Sequence, residues 1–271
     1  MTGRNGMTER ALRDLLVERR LAGPVRTTRR QSLAYLRRTL SGDPAYTFGM
    51  SDWRTATFDN AVAAVRATTG DDLVEGNPDE GYISPDHAVN GIRAHASVLG
   101  KLLRHGGAAV LLATGHPTGL LEHYGELAQA LRKTGNQVLR PLDDHPLDVA
   151  TPSHAAGESG IRFIAGVACA FVNEAIIHTH LSDYMELLLA RTRSTGQRVD
   201  VVVADHGMAG AAIEAGIPTL SIADVNDIAL PLAHARGRHD HLLCIEDNLA
   251  PAQFAPVTEF MLATATRQRN F

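Results

Sequence analysis

Apolar residues recur every three or four positions over Thr8 to Arg20, Thr28 to Leu40, Thr55 to Thr68 and Asp86 to Arg104, the spacing that gives a helix one buried face. Gly42-Asp43-Pro44 and Gly70-Asp71-Asp72 punctuate that pattern as turns do. From Gly106 the period changes. Short runs at Ala108 to Ala113, Gln137 to Leu139, Ile161 to Ala165, Ala168 to Phe171, Ala175 to Ile177, Val199 to Ala204, Pro218 to Ala223 and Leu242 to Ile245 read as strands, several of them separated by amphipathic helices. The alternation predicts an α/β fold with a mostly parallel sheet flanked by helices, three layers of Rossmann-like kind, behind an N-terminal helical region. The expected division is a helical cap over residues 1–105 and an α/β domain over 106–271 that carries the site. Pro141 to Gly160 has prolines, aspartates and small residues without periodicity, and predicts a long loop of the sort that serves as a lid.

Open α/β sheets bind ligands beyond the carboxyl ends of their strands, and four polar clusters fall there. In Ala113-Thr114-Gly115-His116-Pro117-Thr118-Gly119, Pro117 suits the first turn of a helix running to about Lys133. Free N–H groups at such a turn suit phosphate, which nominates Thr114, Gly115, Thr118 and Gly119 as substrate-binding groups. No P-loop lysine is present, and a plain strand-to-helix turn accounts for the string equally well. His178-Thr179-His180 follows Ala175 to Ile177; two imidazoles at alternate positions of an extended chain share a face and converge as metal ligands do. Asp205-His206-Gly207 ends the run VVVADHG, where Asp205 either caps the next helix or serves the site. Asp224-Val225-Asn226-Asp227 closes the fourth strand; Asn226 or Asp227 can cap a helix, whereas Asp224 at the end of a buried strand needs a partner.

One pocket joining these clusters has the donors for a divalent metal, whether Zn, Mn, Fe or Mg, and for its activated water. The metal ligands expected are drawn from His178, His180, His206 and Asp224. His116, Asp205 and Asp227 are the catalytic candidates, with Gly207 and Asn226 added to the substrate contacts. Glu246-Asp247-Asn248 follows the last strand and could reach the same rim, although a turn explains it well. His87, His95, His105, His123, His234, His239 and His241 fall in helices or connections, where packing or surface roles are expected.

Composition narrows the partners. At 271 residues and 44% hydrophobic, the chain can bury a sizeable core. A net charge of -4 gives no basic field for nucleic acid, although Arg19, Arg20, Arg26, Arg29, Arg30, Arg37 and Arg38 cluster near the amino end. A solvated helix face, a subunit interface of a homo-oligomer or an anionic ligand would each explain that cluster. Cys169 and Cys244 lack metal-type spacing and read as small buried hydrophobes, as in a reducing cytoplasm. MTGRNGMTER is unlike a signal peptide and no apolar run is long enough to span a bilayer, so a cytoplasmic protein without membrane contact is expected.

The strings LLATGHPTGLL, IIHTH and VVVADHGMAGAAIEAGIPTLSIADVND, with LAGPVRTTRRQSLAYLRRTLSGDPAYTFG near the amino end, resemble a family of actinobacterial phosphatases over nearly the whole chain. That family carries a Gly-Glu pair after its HTH motif; Ser182-Asp183 stands here, keeping the acid and losing the glycine. The resemblance implies phosphatase chemistry, and with the pocket it predicts a metal-dependent hydrolase of a small anionic metabolite. Two other readings share the same residues: a metal-dependent enzyme acting on a non-phosphate bond of an anionic metabolite, by amide or ester hydrolysis, a lyase step or a rearrangement, and a non-catalytic ligand-binding protein.

Overall fold

Hydroxyl side chains open the amino-terminal helices. In the computed structural model, which describes residues 7–143 and 159–267, Thr8 Oγ1 accepts from Ala11 N and Thr28 Oγ1 from Gln31 N, each at 3.2 Å. They start α1 (Glu9–Glu18) and α2 (Arg29–Leu40), and the short α3 (Pro44–Thr47) follows. A reciprocal capping box between Thr57 and Asn60 starts α4 (Phe58–Thr69), so the stretch predicted helical from Thr55 begins instead as a 3-10 turn over Asp52–Thr55. α5 (Pro85–His105) completes the region. Two three-residue strands, β1 (Gly23–Val25) and β2 (Gly81–Ile83), pair antiparallel across it; they are too short to show a period of two in the sequence.

The sheet contains β3 (Ala109–Thr114), β4 (Gln137–Val138), β5 (Ser159–Ile164), β6 (Val167–Val172), β7 (Ala175–Ile176), β8 (Val201–Asp205), β9 (Thr219–Ala223) and β10 (His241–Cys244). Its order is β10-β9-β8-β3-β6-β5, with β4 paired to β3 and β7 to β6. β10, β9, β8, β3 and β6 run parallel, while β5 and β7 are antiparallel to β6. α6 (Pro117–Lys133), α7 (Asp183–Ser194), α8 (His206–Glu214), α9 (Ala229–Ala235) and α10 (Ala255–Arg267) are the remaining helices. The fold is therefore mixed α/β around a mostly parallel sheet, as the alternating pattern predicts. Ser159 and Gly160 belong to β5 rather than to a loop; residues 144–158, where the lid was expected, lie outside the described residues.

Hydrophobic packing is continuous from Leu12 to Ala265. α5 lies directly on β10: a Cβ at Gly91 would sit 2.9 Å from Leu243 Cα, so only glycine permits that approach. His95 on α5 is buried with Nε2 3.0 Å from His241 O, and His123 places Nδ1 2.7 Å from Thr258 Oγ1 on α10. Burial pushes His95 down to about 4 and His123 to about 3, so both are neutral packing groups at neutral pH. Cys169 and Cys244 are free and buried. Among the described residues no helix is long and apolar enough to cross a membrane.

Candidate active site

β3 is where the sheet's connections change direction, since the chain leaves it toward β4 and β6 on one side and returns as β8 on the other. The crevice beyond β3 and β8 is the position at which doubly wound sheets hold ligands. His116 follows β3, and Asp205 and His206 sit at the junction of β8 and α8. His206 has φ of +46°, a left-handed conformation uncommon for a residue with a Cβ, and it turns the chain sharply from strand into helix. Glycine then lets other segments approach. A Cβ at Gly207 would lie 2.3 Å from His180 O, and one at Gly119 would lie 2.4 Å from Asp247 O. The His178–His180 segment and the turn after β10 are thereby laid against the two helix starts.

A cavity of about 170 Å³ results, lined by Arg26, Thr27, Gln31, Tyr35, His116, His178, His180, His206, Asp224, Asn226, Asp247 and Asn248. The rings of His116 and His178 stack with centroids 4.4 Å apart, as do those of His180 and His206. His206 Nδ1 is 2.8 Å from Asp205 Oδ2, which fixes Nδ1 as the protonated nitrogen and leaves Nε2 facing Asp227 Oδ1 and Asp247 Oδ2, each at 3.7 Å. Asp247 Oδ1 is 3.3 Å from His116 Nδ1. His116 Nδ1, Asp227 Oδ1 and Asp247 Oδ2 are buried without a hydrogen-bond partner. Such atoms are costly to leave unpaired, and all three are natural metal donors. Ligand atoms of His116, His178 and His206 lie within 4.8 Å of one another, and so do those of His206, Asp227 and Asp247. A larger groove of about 410 Å³, lined by Asn90, Arg93, Ala94, Ser97 and Thr264, has no comparable cluster.

The whole described chain has a counterpart among known proteins: the family model described as Phosphatase matches residues 7–269. The chain belongs to the Phosphatase family. It is also 32% identical over 264 residues to a phosphatase of Streptomyces coelicolor, covering 94% of this chain and 95% of that protein.

In this Phosphatase family member several residues take positions other than those their sequence context suggests. In the turn Gly115–Gly119 three of the N–H groups are already used. Gly115 N donates to Asp205 Oδ2 at 2.9 Å, His116 N to Thr114 Oγ1 at 2.9 Å and Gly119 N to His116 O at 3.2 Å. Thr114, Gly115, Thr118, Gly119 and Gly207 are absent from the cavity lining, whereas Asn226 is part of it. His178 and His180 converge, with ring centroids 4.8 Å apart, but they lie beyond β7 and outside any strand, so strand alternation is not what aligns them. His180 places Nδ1 3.2 Å from Ala45 O and stacks on His206, outside both ligand groups. Asp224 is also outside them: its Oδ2 accepts from Thr27 Oγ1 and its Oδ1 from Val225 N, both at 2.6 Å. Asp205 is fully buried behind His206, with its Oδ2 on His206 Nδ1.

Two groups that the strand-end argument did not select are built in by long-range contacts. Asp247 comes from the turn after β10. Arg26 is brought to the cavity because Glu246 Oε2 accepts from Arg26 N at 2.9 Å and Thr27 N at 3.1 Å. Its guanidinium makes no hydrogen bond or ion pair among the described residues, unlike Arg29, which is held by Asp71.

The buried imidazoles and carboxylates shift one another strongly. Burial alone would depress His206, but the charge of Asp227, the hydrogen bond to Asp205 and the charge of Asp247 push it up to about 10. Burial raises Asp227 to about 6, with Asp247 adding to the effect and His206 opposing it. Asp224 is raised well above the usual carboxylate range by burial and by the charges of Glu246, Asp247 and Asp227. Without a metal, the site retains protons to offset its carboxylates.

Proposed function

We propose that this chain hydrolyses a phosphate ester of a small anionic metabolite, using divalent metal held by His116, His178, His206, Asp227 and Asp247. The supporting observation is the set of buried, unpartnered donors His116 Nδ1, Asp227 Oδ1 and Asp247 Oδ2 beside the Nε2 edge of His206. Mixed imidazole and carboxylate donors suit Zn, Fe or Mn better than Mg, which prefers oxygen and water. A divalent ion there supplies charge neutralisation at the phosphoryl oxygens and makes water acidic near neutral pH.

The chain's own groups do the positioning. Asp205, tied to Gly115 N and His206 Nδ1, keeps the His206 tautomer and ring orientation fixed. Arg26, a cation at the cavity with no ion-pair partner among the described residues, is suited to grip phosphoryl oxygens in its planar fork. Gln31, Tyr35, Asn226 and Asn248 offer neutral hydrogen bonds to the rest of the substrate. At about 170 Å³ the cavity is smaller than the roughly 300 Å³ from which drug-sized pockets begin, and it suits a phosphoryl group with a compact alcohol. In the reaction the oxygen of water bonds to phosphorus, the ester P–O bond breaks, and the departing oxygen takes a proton, giving alcohol and inorganic phosphate.

Arg26→Ala is expected to raise KM for a phosphate ester about 10- to 100-fold, the loss of one charge-assisted contact, while bound metal is unchanged. Arg26→Lys should recover part of that loss. An unchanged KM in Arg26→Ala would remove Arg26 from substrate binding. A panel of phosphate esters tests the reaction itself: release of inorganic phosphate supports it, and consumption of an anionic metabolite without phosphate release overturns it.

A further inference from the structure

We infer that the metal centre is dinuclear, with Asp247 as a carboxylate bridge between one ion on His116 and His178 and a second on His206 and Asp227. This inference rests on the reading that the cavity binds divalent metal. The two oxygens of Asp247 face different histidines: Oδ1 is 3.3 Å from His116 Nδ1, and Oδ2 is 3.7 Å from His206 Nε2. A carboxylate serving one ion has no need to reach both ways. The two ligand groups, His116 with His178 and His206, and His206 with Asp227 and Asp247, overlap only at His206. His206 can serve one ion only, because its Nδ1 is engaged by Asp205 and Nε2 is its one remaining donor. Its Nε2 faces Asp227 Oδ1 and Asp247 Oδ2 together, which assigns it to the carboxylate side and leaves the stacked pair His116 and His178 for the other ion.

Asp205, Asp224, Asp227, Glu246 and Asp247 are five buried carboxylates at this end of the sheet, a concentration of negative charge that favours more than one cation. Paired ions about 3.5–4 Å apart are a known arrangement for clamping the attacking and leaving oxygens of an in-line displacement at phosphorus.

The test is metal stoichiometry and spin coupling on the full chain, stripped by chelator and reloaded with Mn(II) alone. Two ions per chain and an exchange-coupled Mn(II) spectrum are expected. Asp247→Asn, close to the native side chain in shape, should abolish the coupling, and Asp227→Asn should lower the stoichiometry from two to one. Since the wild-type count needs no variant, poor folding of either variant leaves the test intact. One ion per chain with an uncoupled spectrum overturns the dinuclear assignment; if phosphate release still depends on that ion, the proposed function survives. Two coupled ions without phosphate release from any ester would leave the dinuclear centre standing and overturn the proposed function. No bound ion overturns both.

Discussion

His206→Gln is expected to lower kcat/KM for phosphate-ester hydrolysis on the order of 10³-fold or more, because a metal shifts water from a pKa of about 15.7 to about 7 and this side chain presents the metal to the site. His206 sits at the strand-to-helix turn with φ of +46°, is buried, and has its Nδ1 fixed by Asp205. Glutamine roughly fills the volume but cannot keep a hydrogen bond to Asp205 and offer a second ring nitrogen to Asp227 and Asp247. Metal content and melting temperature on the same sample separate this role from a structural one. Loss of metal and activity with the fold intact is the expected pattern; full metal occupancy with a sharply lower melting temperature would mean that His206 is a packing residue. Asp205→Asn should be milder, about 10- to 100-fold in metal affinity or activity, as for other groups that orient a ligand.

Metal affinity should rise steeply with pH, about tenfold per unit between the Asp227 value of about 6 and the His206 value of about 10. His206 is raised above its ordinary value in the metal-free site, so it is protonated through that window and must release its proton before Nε2 can bind. His116, which burial would depress but Asp247 raises above its ordinary value, and below about 6 Asp227 add further protons to be displaced, so the dependence should steepen as pH falls. Titration calorimetry in buffers of different ionisation enthalpy reads the released proton directly. A pH-independent affinity with no proton release would show that Nε2 of His206 is not a donor. The same raised values carry a stability consequence for chelated protein. The stabilisation from the His206 proton is fully present below about 6.5 and is lost as pH rises through about 10, so the melting temperature of the metal-free chain should fall over that interval.

Much of this site is legible in sequence because a parallel sheet leaves polar residues at strand ends with little else to do. His116 after β3, His206 after β8, and Asp224 and Asp227 after β9 all reach the crevice for that reason. What local pattern did not reveal is who uses which atom. Gly115 to Gly119 reads as a phosphate turn, yet the N–H groups of Gly115, His116 and Gly119 are committed to Asp205, Thr114 and His116 O. Asp224 resembles a ligand, but its oxygens are satisfied by Thr27, which lies nearly two hundred residues earlier, and by Val225. Asp247 follows the last strand, where the rim is expected, but its turn is ordinary in composition and nothing local marks it as a ligand. Arg26 is unreadable locally for a different reason: the two carboxyl-bound amides that bring it to the cavity, its own and that of Thr27, depend on Glu246 at the far end of the chain. The β1–β2 ribbon and the fit of α5 on β10 are likewise set by distant backbone approach, not by periodicity.

The most direct test of the central claim is inorganic phosphate released from a phosphate-ester panel by the wild-type chain as purified, after chelation, and after reloading with Zn, Mn or Fe. The account predicts phosphate release that disappears on chelation and returns with one of these ions, in step with metal bound per chain. Undiminished phosphate release from protein shown to contain no metal would contradict it.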